Sequence, residues 1–313
     1  MPRREQLDVM TTAAPPPDAA RSGSAITAME TARAQQSPRA RSLELLGNLT
    51  MREVRSQFKR TALGRAWSFI NPLATIAIFS LVFATIMRIT VPAGEPSGIH
   101  VFALFLGAGL LSWNFINNGV MGGMNALIAN AGLLGKVYFP RWIPVVATVL
   151  SLAVTLSIEI GVLTVVVAVV GGSKALLLLP LLPVLVVLIV LTTVFVTGVA
   201  LMLSVALVYF RDTQHFMALF MQIWFYATPI VYPVSYIANA EATLKANGIN
   251  LPLQTIWGFN PAFRITSAFR QVLYDFSFPH WQDWLGILVS ATISLGLGVL
   301  VFRKFSTRVV EEL

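Results

Sequence analysis

The sequence predicts an all-α polytopic membrane protein with six transmembrane helices. Of its 313 residues, 56% are hydrophobic and only 12% are charged, and the mean hydropathy is +0.73. Several apolar runs reach the roughly 20 residues that a helix needs to cross a bilayer. Because the bilayer core offers no water to bare backbone groups, each span is expected to be helical. The predicted spans cover residues 67–87, 101–124, 142–170, 176–209, 215–236 and 284–302.

The distribution of Lys and Arg predicts that both termini are cytoplasmic. With the amino terminus inside, 17 of the 22 cations fall in cytoplasmic segments, which agrees with the excess of positive charge in cytoplasmic loops. The net charge of +8 then lies mainly at the inner membrane face, where anionic lipid attracts it. A nucleic-acid partner is not needed to explain the basic character. We therefore expect a bacterial inner-membrane protein.

The composition also excludes several kinds of site. The chain has no cysteine, so it forms no disulfide, thiolate metal site or thiol nucleophile. Its three histidines, His100, His215 and His280, are scattered and form no ligand cluster. We expect no metal and no cofactor in this chain. Residues 1–41 are rich in Ala, Pro, Ser and Arg, lack the apolar core of a signal peptide, and are expected to be a disordered cytoplasmic tail.

Residues 42–66 are predicted to form an interfacial amphipathic helix followed by a turn. Leu46, Val54 and Phe58 fall on one face of this helix and charged residues on the other. A helix docked on a protein partner is the alternative, and both can hold together. At the following turn Gly64 permits a sharp bend, beside Lys59, Arg60 and Arg65. That basic cluster is either a topology signal that binds lipid headgroups or a site for a phosphorylated lipid substrate.

The connection between the second and third spans, residues 125–141, is predicted to be cytoplasmic and to offer a short helix to a partner. Its GLLGK fragment, residues 132–136, superficially resembles a phosphate-binding loop. A P-loop needs four residues between its glycines and Ser or Thr after the Lys. Here two residues intervene and Val137 follows, so we expect no ATP site in this chain.

The largest external segment precedes the last span. Residues 256–275 are apolar but interrupted by Asn260, Pro261, Arg264 and Arg270, so they are too short and too charged to span. We expect two short re-entrant helices that meet at Asn260 and Pro261. Irregular backbone of this kind is tolerated at membrane depth only where it is buried or lines a cavity.

Polar and aromatic residues inside the spans suggest where a substrate passes. Glu159 lies well inside the third span, where a carboxyl group is either functional, paired with a neighbour such as Arg88, or protonated. Gly119 and Gly123 have a spacing typical of helix packing. Aromatic residues recur every fourth position on the first and fifth spans. Such rings are usually lipid-facing, but together they would also suit a weakly held, sliding glycan chain.

Five motifs, in order along the chain, resemble the permease subunit of bacterial ABC polysaccharide exporters, which move O-antigen, teichoic acid precursors or galactan. The motifs are LGRAWSFINP at 63–72, KVYFPR at 136–141, YFRD at 209–212, ATPIVYP at 227–233 and NPAFRITSAFR at 260–270. The resemblance implies a homodimer of this chain with two separate ATP-binding subunits, which hold the ATP and Mg. The implied cargo is a polyprenyl-pyrophosphate-linked glycan, and the tail composition favours galactan.

The resemblance also assigns roles to residues. The pyrophosphate would bind at Lys59, Arg60, Gly64 and Arg65. The channel would be lined by Trp67, Phe79, Phe83, Phe216, Phe220, Trp224, Phe225, Tyr226 and Tyr232. An external gate would include Trp257, Phe259, Asn260, Pro261, Phe263, Arg264, Phe269 and Arg270. Coupling to the ATPase would involve Arg52, Arg55, Asn125, Asn130, Lys136, Arg141, Arg211 and Asp212.

Two alternatives remain open at this point. An ABC exporter of lipids or drugs could share the fold, although it has less need of the large external segment. An integral-membrane polyprenyl-phosphate glycosyltransferase is a candidate from another class. That chemistry requires clustered aspartates, whereas Asp212, Asp275 and Asp283 are dispersed over both sides of the membrane. A proton-coupled transporter would rest on Glu159 alone.

Overall fold

The computed structural model of the chain describes residues 37–56, 67–134 and 140–306. Within these ranges every regular element is a helix, as predicted. Two described segments, Trp142–Tyr209 and Trp281–Phe305, are long and apolar enough to cross a membrane by length and composition, and Leu73–Ile86 is a shorter apolar helix. The count of six spans stays a prediction.

The first described helix, α1, covers Pro38–Ser56 and contains the predicted interfacial helix up to Ser56. The chain divides into two units, Met1–Leu45 and Leu46–Leu313. Of the first unit, only residues 37–45 are described, as the start of α1. All contacts reported below belong to the second unit.

The second unit is a helical bundle with short helices at its ends. Its elements in chain order are α2 (Trp67–Phe79, continuing as a π-helical turn Ser80–Ile86), α3 (Phe102–Ala129), α4 (Ala131–Leu134), α5 (Trp142–Gly171, followed by the 3-10 segment Gly172–Leu181), α6 (Leu182–Tyr209), α7 (Thr213–Ala227), α8 (Ser235–Ala246), α9 (Leu253–Gly258), α10 (Pro261–Arg270, continuing as a π-helical turn Gln271–Asp275) and α11 (Trp281–Phe305).

Helix α3 is the centre of the bundle and packs against α5, α6 and α10. Most of its side chains are buried. The predicted packing role of its two glycines is confirmed by close approach to α6. A Cβ added at Gly119 would lie 2.5 Å from Val196 Cγ1, and one at Gly123 would lie 2.5 Å from Ala200 Cβ. Small residues at these positions let the two helices meet.

Helices α6 and α11 approach each other even more closely. A Cβ at Gly298 would lie 2.2 Å from the carbonyl oxygen of Gly198, and one at Gly198 would lie 2.3 Å from the backbone carbon of Ser294. The Ser294 hydroxyl donates a hydrogen bond across this contact to the carbonyl oxygen of Phe195 at 2.7 Å. The last helix is therefore fixed to the bundle through backbone contact.

The fifth predicted span differs from the sequence expectation. We expected it to run to residue 236, but α7 ends at Ala227 after 15 residues, or about 22 Å. The following irregular stretch contains Pro229, which has no N–H to continue the helical ladder. The chain then enters α8, a helix that the sequence analysis did not anticipate. Farther on, two short helices, α9 and α10, flank Asn260 as expected, and their re-entry into the membrane stays a prediction.

Candidate functional site

A stripe of aromatic rings runs along α7. Phe216, Phe220 and Trp224 are spaced by four residues and so lie on one face of the helix. The ring centroids of Phe216 and Phe220 are 6.4 Å apart, and those of Phe220 and Trp224 are 5.5 Å apart. These separations fall in the range of favourable aromatic pairs. Three predicted channel residues of α7, namely Phe216, Phe220 and Trp224, therefore form one continuous surface.

The ring stripe continues into α3 and α2. Trp224 meets Trp113 of α3 edge-on at 5.7 Å, and Trp113 also contacts Phe225 at 5.7 Å. Phe225 lies 6.3 Å from Phe79 of α2, which stacks on Phe83 at 5.7 Å. We call these seven rings, together with Tyr226, the aromatic column. Its members are Phe79, Phe83, Trp113, Phe216, Phe220, Trp224, Phe225 and Tyr226.

Trp113 is the member of the aromatic column that sequence reasoning missed. It is 4% exposed and joins α3 to two rings of α7, Trp224 and Phe225. Its sequence signal is a lone tryptophan in the middle of a long apolar run, and nothing in that run identifies its distant partners.

The rings of the aromatic column differ in exposure. Phe216 is 67% exposed and Tyr226 is 65% exposed, whereas Trp224 and Phe225 are half-buried. Tyr232, also predicted to line the channel, is half-buried and donates a hydrogen bond from its hydroxyl to the carbonyl oxygen of Tyr226 at 3.0 Å. One chain therefore exposes the rings of Phe216 and Phe220 along one side of α7, while Tyr226, two residues after Trp224, faces the other side.

At the carboxyl end of α7 the aromatic column is bound to the start of α10 through Asn260. The Trp224 indole N–H donates to Asn260 Oδ1 at 2.8 Å, and Asn260 Nδ2 donates to the Thr228 hydroxyl at 3.1 Å. The same Oδ1 accepts the backbone N–H groups of Ala262 and Phe263 and so caps α10. This single amide connects α7, the irregular stretch after it and the predicted gate.

Arg270 fixes the other end of α10 inside the bundle. Its guanidinium donates to the carbonyl oxygens of Pro229 and Ile230, and through Nε to that of Phe105 at 3.2 Å. Its Cζ lies 3.9 Å from the centroid of the Phe105 ring. A buried cation thus donates hydrogen bonds to backbone carbonyl oxygens of the irregular stretch that follows α7. Both Phe269 and Arg270, predicted as gate residues, are buried within one chain.

Arg264, Asp283 and Gln271 form a polar chain between α10 and α11. Arg264 Nη1 donates to Asp283 Oδ1 at 2.9 Å and its Nε to the Gly258 carbonyl oxygen at 2.8 Å. Gln271 Nε2 donates to Asp283 Oδ2 at 2.7 Å. Of the other predicted gate residues, Phe259 is 83% exposed, while Trp257, Pro261 and Phe263 are half-buried.

The end of α10 is also bound to the loop before α3. The Tyr274 hydroxyl donates to the Pro92 carbonyl oxygen at 3.0 Å, and the Ser97 N–H donates to the Asp275 carbonyl oxygen at 3.0 Å. Burial raises the pKa of the Asp275 carboxyl from 3.8 to about 6, although the neighbouring Arg270 cation acts in the opposite direction. Asp275 is therefore a half-buried acid that is harder to ionise than an exposed one.

Some of the predicted coupling residues lie in two clusters of hydrogen bonds. Arg52 Nη2 of α1 donates to Asn130 Oδ1, just after α3, at 2.7 Å. Arg141 Nη1 donates to the carbonyl oxygen of Ser306 at the end of α11. The Tyr209 hydroxyl donates to the carbonyl oxygen of Phe305 at 3.2 Å.

The remaining predicted coupling residues do not join either cluster. Arg55, Arg211 and Asp212 are exposed, and Asn125 donates to the Met121 carbonyl oxygen of its own helix at 2.8 Å. Several predicted residues lie outside the described residues, namely Lys59, Arg60, Gly64, Arg65 and Lys136. Trp67 begins α2, but its side chain also lies outside the described part of the structure.

Glu159 lies on an apolar cavity of about 430 Å³ between α2, α3 and α5, next to Leu73, Leu104 and Val162. Among the residues that the structure describes, its carboxyl forms no ion pair with Arg88. The pairing alternative considered from the sequence is therefore not observed. Groups of three or more His, Cys, Asp or Glu that could hold a metal ion do not occur within residues 37–56, 67–134 and 140–306.

Comparison with known proteins identifies a matching family. The sequence model described as ABC-2 type transporter matches residues 44–274. The O-antigen export system permease protein RfbA of Myxococcus xanthus is 26% identical over 271 residues, which are 86% of this chain and 95% of the relative. The protein of the same name from Klebsiella pneumoniae is 25% identical over the same shares.

Proposed function

We propose, from the premise that this chain belongs to the ABC-2 type transporter family, that it is the membrane permease of an ATP-driven polysaccharide exporter. The observation that supports a polysaccharide as the cargo is the alignment with two O-antigen export permeases over 95% of their length. The chain is a transporter subunit and not an enzyme, and in such systems a separate subunit hydrolyses ATP. The glycosyltransferase alternative is therefore set aside.

The proposed cargo is a glycan carried on polyprenyl pyrophosphate, with galactan as the favoured polymer. The aromatic column supports this proposal because its exposed rings offer flat apolar faces to the C–H groups of sugars. Such contacts hold a chain weakly, so successive sugars slide past without being trapped. The pyrophosphate is proposed to bind at Lys59, Arg60 and Arg65, where charge-assisted hydrogen bonds suit phosphate oxygens.

We propose that two copies of this chain form the channel and act with two ATP-binding subunits. A single chain exposes Phe216 and Phe220 of the aromatic column in a row along α7. Exposed apolar side chains also follow α2 and its π-helical turn, including Leu73, Ile78 and Leu81. A second copy facing these helices encloses the row and removes a large apolar surface from contact with lipid or water.

The proposed location is the bacterial inner membrane with six spans and both termini in the cytoplasm. The support is the charge count, with 17 of 22 cations on the cytoplasmic side. In this orientation α9 and α10 re-enter the outer leaflet as the gate. Their polar junction at Asn260 is partly buried against Trp224 and Thr228, as irregular backbone at membrane depth requires.

The test is depletion of this protein in its host, followed by analysis of polyprenyl-linked glycans in the cytoplasmic leaflet. Accumulation of a lipid-linked polymer inside the cell, reversed by a plasmid copy of the gene, is expected. No accumulation would exclude polysaccharide export and would favour the alternative, an exporter of lipids or drugs with the same fold. The sugar composition of the accumulated polymer distinguishes galactan from other glycans.

A further inference from the structure

An apolar groove of about 470 Å³ lies along α6 and α11, separate from the aromatic column. Its walls are formed largely by Phe195, Val199 and Met202 of α6 and by Val289, Ile293 and Leu297 of α11. Its outer end is formed by the predicted gate residues Phe259, Pro261 and Arg264, whereas the walls along α6 and α11 have no role in the proposed function.

Glycines form part of the groove floor. Gly198 lacks a side chain because α11 passes within backbone contact of it, as the 2.3 Å approach of an added Cβ to Ser294 indicates. At the other end, a Cβ on Gly286 would lie 2.9 Å from Arg264 Cγ. Both glycines therefore mark close approaches, of α11 at Gly198 and of the Arg264 side chain at Gly286, and the groove lies beside them.

The length of the groove matches one leaflet. Eleven residues separate Gly286 from Leu297, which corresponds to about 16 Å along α11. The hydrocarbon core of a bilayer is about 30 Å thick, so the groove extends through about half of it. In the proposed orientation Gly286 is near the outer surface and Leu297 near the midplane.

A cation with unused donors lies at the outer end of the groove. The Arg264 side chain is 23% exposed and lines the groove. Nη1 and Nε bind Asp283 and Gly258, but Nη2 has no acceptor within the described ranges. Arginine donors fit phosphate oxygens in a forked geometry. Asp283 neutralises the net charge, so attraction here depends on directed N–H groups.

We propose that this groove binds one phospholipid of the outer leaflet. Its phosphate accepts hydrogen bonds from Arg264 Nη2, and one acyl chain lies in the groove beside the contact of α6 with α11. The lipid thereby connects α10, which carries Arg264, to the last transmembrane helix. The inference rests on the proposed membrane orientation but goes beyond the proposed function, since it requires neither a glycan nor ATP.

The test uses the full-length chain, purified in a sugar-based detergent that contains no phosphate. Two photoactivatable probes with identical acyl chains are compared, phosphatidylglycerol and diacylglycerol, and labelled positions are mapped by mass spectrometry. Labelling of Val289, Ile293 and Leu297 by the phosphatidylglycerol probe is expected to exceed that by diacylglycerol about fivefold. Equal labelling by the two probes would overturn the proposal.

Variants separate the lipid site from general effects. The double substitution Arg264→Gln and Asp283→Asn leaves no unpaired buried charge and is expected to abolish the fivefold preference. Lys245→Gln, which removes an exposed external cation on α8, should retain it. If the double variant does not fold, Val289→Trp fills the groove and should reduce labelling by both probes. Unchanged labelling in Val289→Trp, or cross-links showing a second copy of the chain in the groove, would contradict the inference.

Discussion

Asn260 joins α7 to the start of α10. Its side chain binds the Trp224 indole and the Thr228 hydroxyl while capping α10. One amide thus satisfies polar groups from two segments about 35 residues apart in the sequence. Replacing it leaves several of them without a partner, and an unpaired buried polar group is costly.

The substitution Asn260→Ala is expected to lower the free energy of unfolding by about 2 kcal/mol, because it removes the cap and leaves the Trp224 N–H unpaired. Thermal unfolding in nanodiscs measures the change. Asn260→Asp keeps the oxygen that accepts from Trp224 and caps α10, so it should lower the free energy of unfolding by less. Asn247→Ala, at the exposed end of α8, is the control, and an equal loss there would show that the contacts of Asn260 are not the cause.

A second residue-scale prediction concerns pH. Because burial raises the Asp275 pKa from 3.8 to about 6 in the folded chain, the folded state binds a proton more tightly than the unfolded state. The contribution of this group to stability is full below pH 3.8, declines as the pH rises to about 6, and is constant above. Asp275→Asn should remove this decline.

The quantity to measure is the difference in unfolding temperature, wild type minus Asp275→Asn, from pH 4 to 7. This difference should fall up to about pH 6 and then level off. Asp212→Asn removes an acid at the exposed turn before α7 and controls for the change in charge. A difference that rises with pH would mean that Arg270, and not burial, dominates the environment of Asp275.

At the scale of elements, the contact between α6 and α11 determines how rigidly the last helix is held. Glycines on both helices allow backbone to meet backbone, so the contact has no flexible side chain that could absorb an added methyl group. Packing of this kind drives helix association within a membrane, where the hydrophobic effect contributes little.

Gly298→Ala is therefore expected to destabilise the protein by about 1–3 kcal/mol, since its Cβ would lie 2.2 Å from the Gly198 carbonyl oxygen. Gly296→Ala is the matched control, on the same helix and with no atom within 4 Å of the added Cβ. It should be neutral or slightly stabilising. Equal effects of the two substitutions in chemical unfolding would show that α11 is not held by this crossing.

The hydrogen bond between α1 and the end of α3 is the second element-scale feature with a testable effect. An exposed bond of this kind adds little stability, so Arg52→Gln should leave the unfolding temperature unchanged. If α1 transmits ATPase motion through Asn130, glycan exported per ATP hydrolysed should drop about threefold, as expected for loss of about 0.7 kcal/mol of coupling.

The measurement is the ratio of transport to ATP hydrolysis in proteoliposomes that contain the permease and its ATPase. Arg55→Gln is the control, because Arg55 lies on the same helix but forms no hydrogen bond or ion pair within the described ranges. An identical drop in both variants would assign the effect to the charge of α1 and not to the bond with Asn130.

At the scale of the whole molecule, hydropathy was sufficient to predict a helical membrane protein, because burial in lipid imposes long apolar runs. The junction at Asn260 and Pro261 was also predictable, since Asn favours a helix cap and Pro the first helical turn. Three features were not predictable. The partners of Trp113 and Arg270 come from segments far along the chain, and α8 is too polar to stand out against a loop.

The charge cluster at Lys59, Arg60 and Arg65 leads to a prediction for the assembled exporter. Replacing all three by Gln should lower substrate-stimulated ATP hydrolysis about tenfold, if charge-assisted hydrogen bonds to the pyrophosphate are lost. Basal hydrolysis and membrane topology, probed by labelling of both termini, are measured in parallel. Unchanged stimulation would leave the three residues as topology determinants only.

In the proposed topology the short helix α7 acts as a lever between the cytoplasmic turn and the external gate. It is about 22 Å long, so a tilt of about 10° displaces its far end by roughly 4 Å, which no hydrogen bond can stretch to cover. The Trp224 bond to Asn260 therefore either moves α10 together with the lever or breaks. Motion at the cytoplasmic turn then reaches the exterior in discrete steps and not as a graded deformation.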